Sequence, residues 1–204
     1  ATAVSGRLSA RAATEERSTP FVGRDCELAL LDAALDDVTA GSAITVFVEG
    51  ESGIGKSALV RSFLEKVESI RRGPLILSGR CYERESVPFK GIDGIVDSLA
   101  HELLRRHPVD VAFLLTDEVE ALARVFPVLR RVSAIARMHV GRSTSPVELR
   151  SRAFRGLRAL IAALAATAPI VITIDDLQWA DTDSLALLRE IVHLRGRTAI
   201  VLVP

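Results

Sequence analysis

The chain has 204 residues, 49% hydrophobic and 25% charged, with 26 basic and 26 acidic side chains and a formal net charge of +0. This suits one sizeable globular domain with or without a small appendage, and the balanced charge offers no footing for a polyanion, so nucleic-acid binding by this segment is not expected. Cys26 and Cys81 lack C-x-x-C spacing and His101, His107, His139 and His193 form no ligand cluster, while no signal peptide or bilayer-length apolar run occurs; the expectation is free thiols in a soluble, cytoplasmic segment without a membrane partner.

Residues 1–18 are rich in Ala, Ser, Thr, Arg and Glu without apolar periodicity and read as a disordered linker ahead of a domain over 19–204. Thr19 to Arg24 is an extended approach with a turn at Gly23. From Asp25, the positions Leu28, Leu31, Leu35 and Val38 recur at helical spacing, and Gly41 suits the helix end. Ile44 to Val48 is apolar throughout and rich in β-branched residues, as expected of a strand buried on both faces.

That strand runs into Gly50-Glu51-Ser52-Gly53-Ile54-Gly55-Lys56-Ser57, which satisfies G-x-x-x-x-G-K-[ST] and reads as a phosphate-binding loop. A tight turn there must aim backbone N–H groups at phosphate oxygens, and side chains at the glycine positions would block the approach. Lys56 adds a point charge, and Ser57 offers a hydroxyl to Mg²⁺. The unpaired amides opening the next helix, through Ala58, favour the same anion. Leu59, Val60, Phe63, Leu64 and Val67 form that helix's inner face.

Gly73-Pro74 makes a turn, and Leu75 to Ser78 is a second strand. After the polar stretch Arg80 to Lys90, a helix carries Ile92, Ile95, Val96, Leu99 and Leu103 and is expected to end near His107-Pro108. Short helical patterns fill Val109 to Ala136, interrupted at Pro127, and Met138 to Thr144 reads as loop. Ser145-Pro146-Val147-Glu148 starts a helix to about Thr167, because serine caps, proline fits the first helical position and Glu148 completes a capping box. Ile170 to Ile174 is a buried strand ending in Asp175-Asp176. Leu185, Leu188, Ile191 and Val192 mark a further helix, Gly196 closes it, and Thr198 to Val203 is a last strand. Alternating strands and helices predict an α/β fold: a three-layer phosphate-loop NTPase, its parallel sheet flanked by helices, with a helical insertion between the second and third strands.

Ligands in such sheets collect beyond the carboxyl ends of the strands, where the loop and Asp175-Asp176 both fall. An acidic residue after a run of aliphatics has the form of a Walker B element. Asp175 would hold Mg²⁺ with Ser57, and Asp176 would polarise the water attacking a γ-phosphate, with Lys56 and Asp176 as the catalytic pair. No arginine is assignable to the transition state from sequence; Arg80, Arg84, Arg150, Arg152 and Arg155 are candidates, each read foremost as a solvated helix or loop residue. The expectation is an ATP- or ADP-binding, Mg²⁺-dependent ATPase with slow turnover. The alternatives are a module holding nucleotide without chemistry and a small-molecule kinase, and the loop itself does not separate ATP from GTP.

Phe21 to Leu28, Gly50 to Ser57 and Ile174 to Asp181 (Ile-Asp-Asp-Leu-Gln-Trp-Ala-Asp) together resemble the signal-transduction ATPases with numerous domains, or STAND ATPases, a branch near the AAA+ ATPases. Arg80 to Lys90 is similar to the matching region of bacterial members fused to serine/threonine kinases or carried by large transcription regulators. The resemblance implies a regulatory ATPase module with a five-stranded core, adenine contacts from Val22, Gly23 and Arg24, and roles for Trp179 and Asp181 that compete with packing and helix capping. It also implies neighbouring kinase, cyclase or DNA-binding domains in the same chain as partners and nucleotide-dependent self-association. The family's sensor arginine and winged-helix segment would lie past Pro204, where the chain breaks off within an apolar run and reads as a domain truncated at its C-terminal end.

Overall fold

The computed structural model describes residues 23–71, 73–83, 89–138, 145–194 and 196–204. The expected linker, Phe21, Val22, Arg84 and most of the expected loop before Ser145 lie outside them. The apolar runs become parallel strands β1 (Ala43–Phe47), β2 (Leu75–Arg80), β3 (Ile170–Asp175) and β4 (Thr198–Leu202), in the spatial order β1-β4-β3-β2. Val46 lies opposite Val201, Ile172 opposite Ile200, and Leu77 opposite Ile172. Central β3 and β4 are buried almost throughout, so their aliphatic sequences need no polar alternation.

Side chains of successive strand residues point to opposite faces, and the two cores divide accordingly. Val171, Ala199 and Val201 face α1 (Asp25–Thr39) and α2 (Lys56–Glu68), meeting Leu31, Leu35, Val38, Phe63 and Val67. Leu77, Ile170, Ile172 and Ile200 face the other way, toward α3 (Lys90–Arg105), α7 (Pro146–Thr167) and α8 (Thr182–Val192). The insertion consists of α4 (Pro108–Leu114), α5 (Val119–Val125), a 3-10 turn at Pro127–Arg131 and α6 (Ser133–Ala136). Val111, Leu122, Leu129 and Ile135 carry the larger core outward between α3 and α7. This is the expected three-layer α/β arrangement, with its helical insertion between β2 and β3.

Several local expectations differ from the structure. The five strands implied by the resemblance are four among the described residues, with β1 and β2 at the edges. Helix α3 stops at Arg105 because Arg106 turns extended; Pro108 then opens α4, where His107 Nδ1 caps the Val109 N–H. In α8, Leu185 is exposed and Leu187 is in the core, since capping at Asp181 sets the helix phase with Leu187, Leu188 and Ile191 inward. Helix α7 begins as expected, the Glu148 N–H donating to Ser145 Oγ at 3.2 Å.

Candidate functional site

At the carboxyl end of β1 the chain turns through Gly53 and Gly55, at φ 80° and 96°, a region where a side chain is strained. Gly55 is also the residue from which α2 starts, so the loop ends with the free amides of a helix N-terminus. Lys56 Nζ donates to the Gly50 carbonyl at 2.8 Å and lies 3.4 Å from that of Glu51, which keeps the ammonium over the loop. β4 lies between β1 and β3, and across it the Ser57 hydroxyl donates to Asp175 Oδ1 at 2.9 Å.

Asp175 Oδ1 also accepts the Asp176 N–H at 3.0 Å. Asp176 itself sits in the left-handed region at φ 55°, one of two non-glycine residues with positive φ among those described. Aspartate tolerates that conformation better than most residues, and it turns the second carboxylate away from the first. Asp176 Oδ2 accepts from Arg80 Nε at 2.9 Å and from Arg80 Nη2 at 2.8 Å. That bond, and then the charge behind it, raise the Arg80 guanidinium further above its already high pKa.

Loop and acids enclose a cavity of about 580 Å³ lined by Gly50, Ser52, Gly53, Gly55, Lys56, Ser57, Ala58, Asp175 and Asp176, with Glu49, Gln178, Val203 and Pro204. Glu51 and Ile54 do not line it. A smaller cavity of about 190 Å³ lies on the α1 side of the loop, between Arg24, Glu27, Leu31, Val46, Val48 and Ile54. Arg24 Nη1 bonds Glu27 Oε1 at 2.8 Å and its Nη2 bonds the Ile54 carbonyl at 3.0 Å. Val22 lies outside the described residues.

The remaining candidate arginines point elsewhere. Arg150 pairs with Asp183 and lies over the ring of Phe154, while Arg152 and Arg155 both bond Glu118. Asp181 caps α8 through the Asp183 and Ser184 N–H groups and accepts the Phe89 N–H at 3.3 Å, joining α3 to the segment after β3. Trp179 is half-exposed, with the rest of its side chain covered by the domain. Sequence reasoning did not link Arg80 to Asp176. The usable signal was register: Arg80 ends β2 opposite Asp175, one residue before its partner.

The donors that meet at the cavity are hard oxygens, the Ser57 hydroxyl and the Asp175 carboxylate, beside Lys56. Among the described residues no three His, Cys, Asp or Glu side chains group to hold a metal alone. That donor set fits Mg²⁺, which commonly combines one or two carboxylates with substrate phosphates and water.

Residues 20–203 match a family model described as an AAA ATPase domain. An uncharacterized protein, R02095 of Rhizobium meliloti (strain 1021), is 25% identical over 198 residues, covering 90% of this chain and 18% of that protein. The chain therefore spans under a fifth of the length of that curated relative. No solved structure matches the chain.

Proposed function

The chain belongs to the AAA ATPase domain family, and from that premise we propose that it is an ATP-binding and ATP-hydrolysing switch domain of the STAND type within a larger, cytoplasmic bacterial signalling protein. The observation carrying the proposal is the 2.9 Å contact between Ser57 and Asp175, which unites two distant motifs at one cavity of about 580 Å³. In this reading Gly50 to Ala58 wrap the phosphates with backbone N–H groups, and Lys56 exchanges the Gly50 carbonyl for phosphate oxygens. Ser57 and Asp175 hold Mg²⁺, which when bound neutralises charge on the transferring phosphoryl group. Asp176 orients a water for attack on the γ-phosphorus as the bond to the ADP oxygen breaks. The apolar cavity beside Gly23 and Arg24 receives the adenine.

Turnover is slow in this reading. Among the described residues no arginine lines the larger cavity, and Arg80 occupies one oxygen of Asp176. The same ion pair favours a second reading, a module that retains nucleotide without hydrolysing it, and phosphate release by the longer protein distinguishes the two. In either case bound nucleotide is read by neighbouring kinase, cyclase or DNA-binding domains and by self-association, through loops ordered by the γ-phosphate. Lys56→Ala is expected to weaken ATP binding at least about tenfold, as loss of a charged hydrogen bond to phosphate does. Unchanged affinity by titration calorimetry would remove the phosphate-loop reading.

A further inference from the structure

Arg24 stands outside the larger cavity yet reaches the loop that forms it. Its Nη2 donates to the Ile54 carbonyl at 3.0 Å, and Glu27 holds the other end of the fork at 2.8 Å. Ile54 lies between Gly53 and Gly55, both at positive φ. Rotating the Ile54–Gly55 peptide changes ψ of Ile54 and φ of Gly55, and glycine accepts either sign of φ, so the orientation of this peptide needs an outside partner to fix it.

A trans peptide is planar, with its C=O and N–H pointing in opposite directions. Once the carbonyl is fixed toward Arg24 on the α1 side, the Gly55 N–H must point to the other side of the loop. Gly55 borders both the smaller cavity on the α1 side and the larger one beyond the loop, the peptide geometry directs its N–H to the latter, and that N–H has no partner among the described residues. We propose that Arg24 is a positioning residue that locks the Ile54–Gly55 peptide with its N–H facing the phosphate cavity, so that this donor is oriented before an anion arrives. Arg24 acts on the polyphosphate through the loop, and Glu27 acts on Arg24. The inference rests on the reading of Gly50 to Ser57 as a phosphate site and adds to it a residue of α1's N-terminal turn.

Inorganic tripolyphosphate, which has no base, separates this role from a direct contact with adenine. Titrations of ATP and of tripolyphosphate, each with Mg²⁺, would use the chain itself and its Arg24→Ala and Arg24→Lys variants. Arg24→Ala is expected to weaken both ligands to the same extent, about tenfold, the usual effect of one lost hydrogen bond to a charged group. Arg24→Lys, which retains one donor, is expected to recover part of the loss. Melting temperatures without ligand report whether the variants fold, and the lysine variant serves if the alanine variant does not. Loss of ATP binding with unchanged tripolyphosphate binding, or no change for either ligand in a folded variant, overturns the proposal while leaving the phosphate-loop reading in place. If the unmodified chain binds neither ligand, that reading falls and the role of Arg24 with it.

Discussion

Asp175 and Asp176 are adjacent, chemically identical and differently employed. The first ends a strand, accepts from Ser57 Oγ and from the next amide, and faces the loop. The second is turned by its left-handed backbone toward Arg80. Asparagine adopts that backbone at least as readily as aspartate, so Asp176→Asn isolates the charge from the conformation. In the proposed ATPase this variant is expected to keep nucleotide affinity within about threefold while phosphate release falls at least about a hundredfold, the lower range for removing a general acid or base. A hydrolysis rate equal to that of the unmodified protein would exclude Asp176 from the chemistry. The pair as a motif was legible in the sequence, because four or five aliphatics followed by acid have few other uses beside a phosphate loop. The division of labour was not, since it depends on a φ angle and on a partner 96 residues away.

At the level of elements, α3 lies unusually close to β2, and glycines permit it. A Cβ on Gly94 would stand 2.7 Å from the Ser78 carbonyl, and one on Gly79 would stand 2.7 Å from the Gly91 carbonyl. Helix propensity favours alanine over glycine by about 1 kcal/mol, but a backbone carbonyl cannot yield as a flexible side chain can. Gly94→Ala is therefore expected to destabilise the domain by about 1–3 kcal/mol, the usual cost of overpacking. Urea denaturation checks this, and a gain in stability would mean that α3 can retreat from the sheet. The strands and most helices were visible from periodicity and caps: Ile170 to Ile174 could only be a buried strand, and Ser145-Pro146 could only open a helix. This glycine-mediated approach was not visible, because Gly79, Gly91 and Gly94 carry no pattern until β2 and α3 are set against each other. Leu185 was misassigned for a related reason. The phase of a short helix follows from its cap, and the apolar spacing was read without fixing that phase at Asp181.

Across the whole molecule, carboxylates with depressed pKa tie separate elements together. Burial alone would push Asp181 up, but bonds from the Ser184 hydroxyl and from the Ser184, Phe89 and Asp183 amides hold it below its ordinary 3.8. The bond from Arg152 leads in lowering Glu118 from 4.5, against some burial, with Arg155 adding to it. A group depressed in the folded state gives stability that is fully present above its unfolded pKa and is lost as pH falls through the folded value. Stability is thus expected to hold at about pH 5 and to decline below about pH 4, and Asp181→Asn is expected to flatten that decline in thermal melts. A variant melting curve with the same acid dependence would deny Asp181 this part. The sheet order carries a consequence for biogenesis. β1 and β3 share a neighbour only when β4, which follows both of them in the chain, lies between them. Ser57 and Asp175 therefore meet across β4, and a chain in which β4 is not yet in place lacks that pairing. A ligand that binds only where β4 is in place favours that folded state by an amount that grows with the logarithm of its concentration once this exceeds Kd. In the proposed ATP-binding domain, nucleotide is thus expected to favour molecules in which β4 is in place.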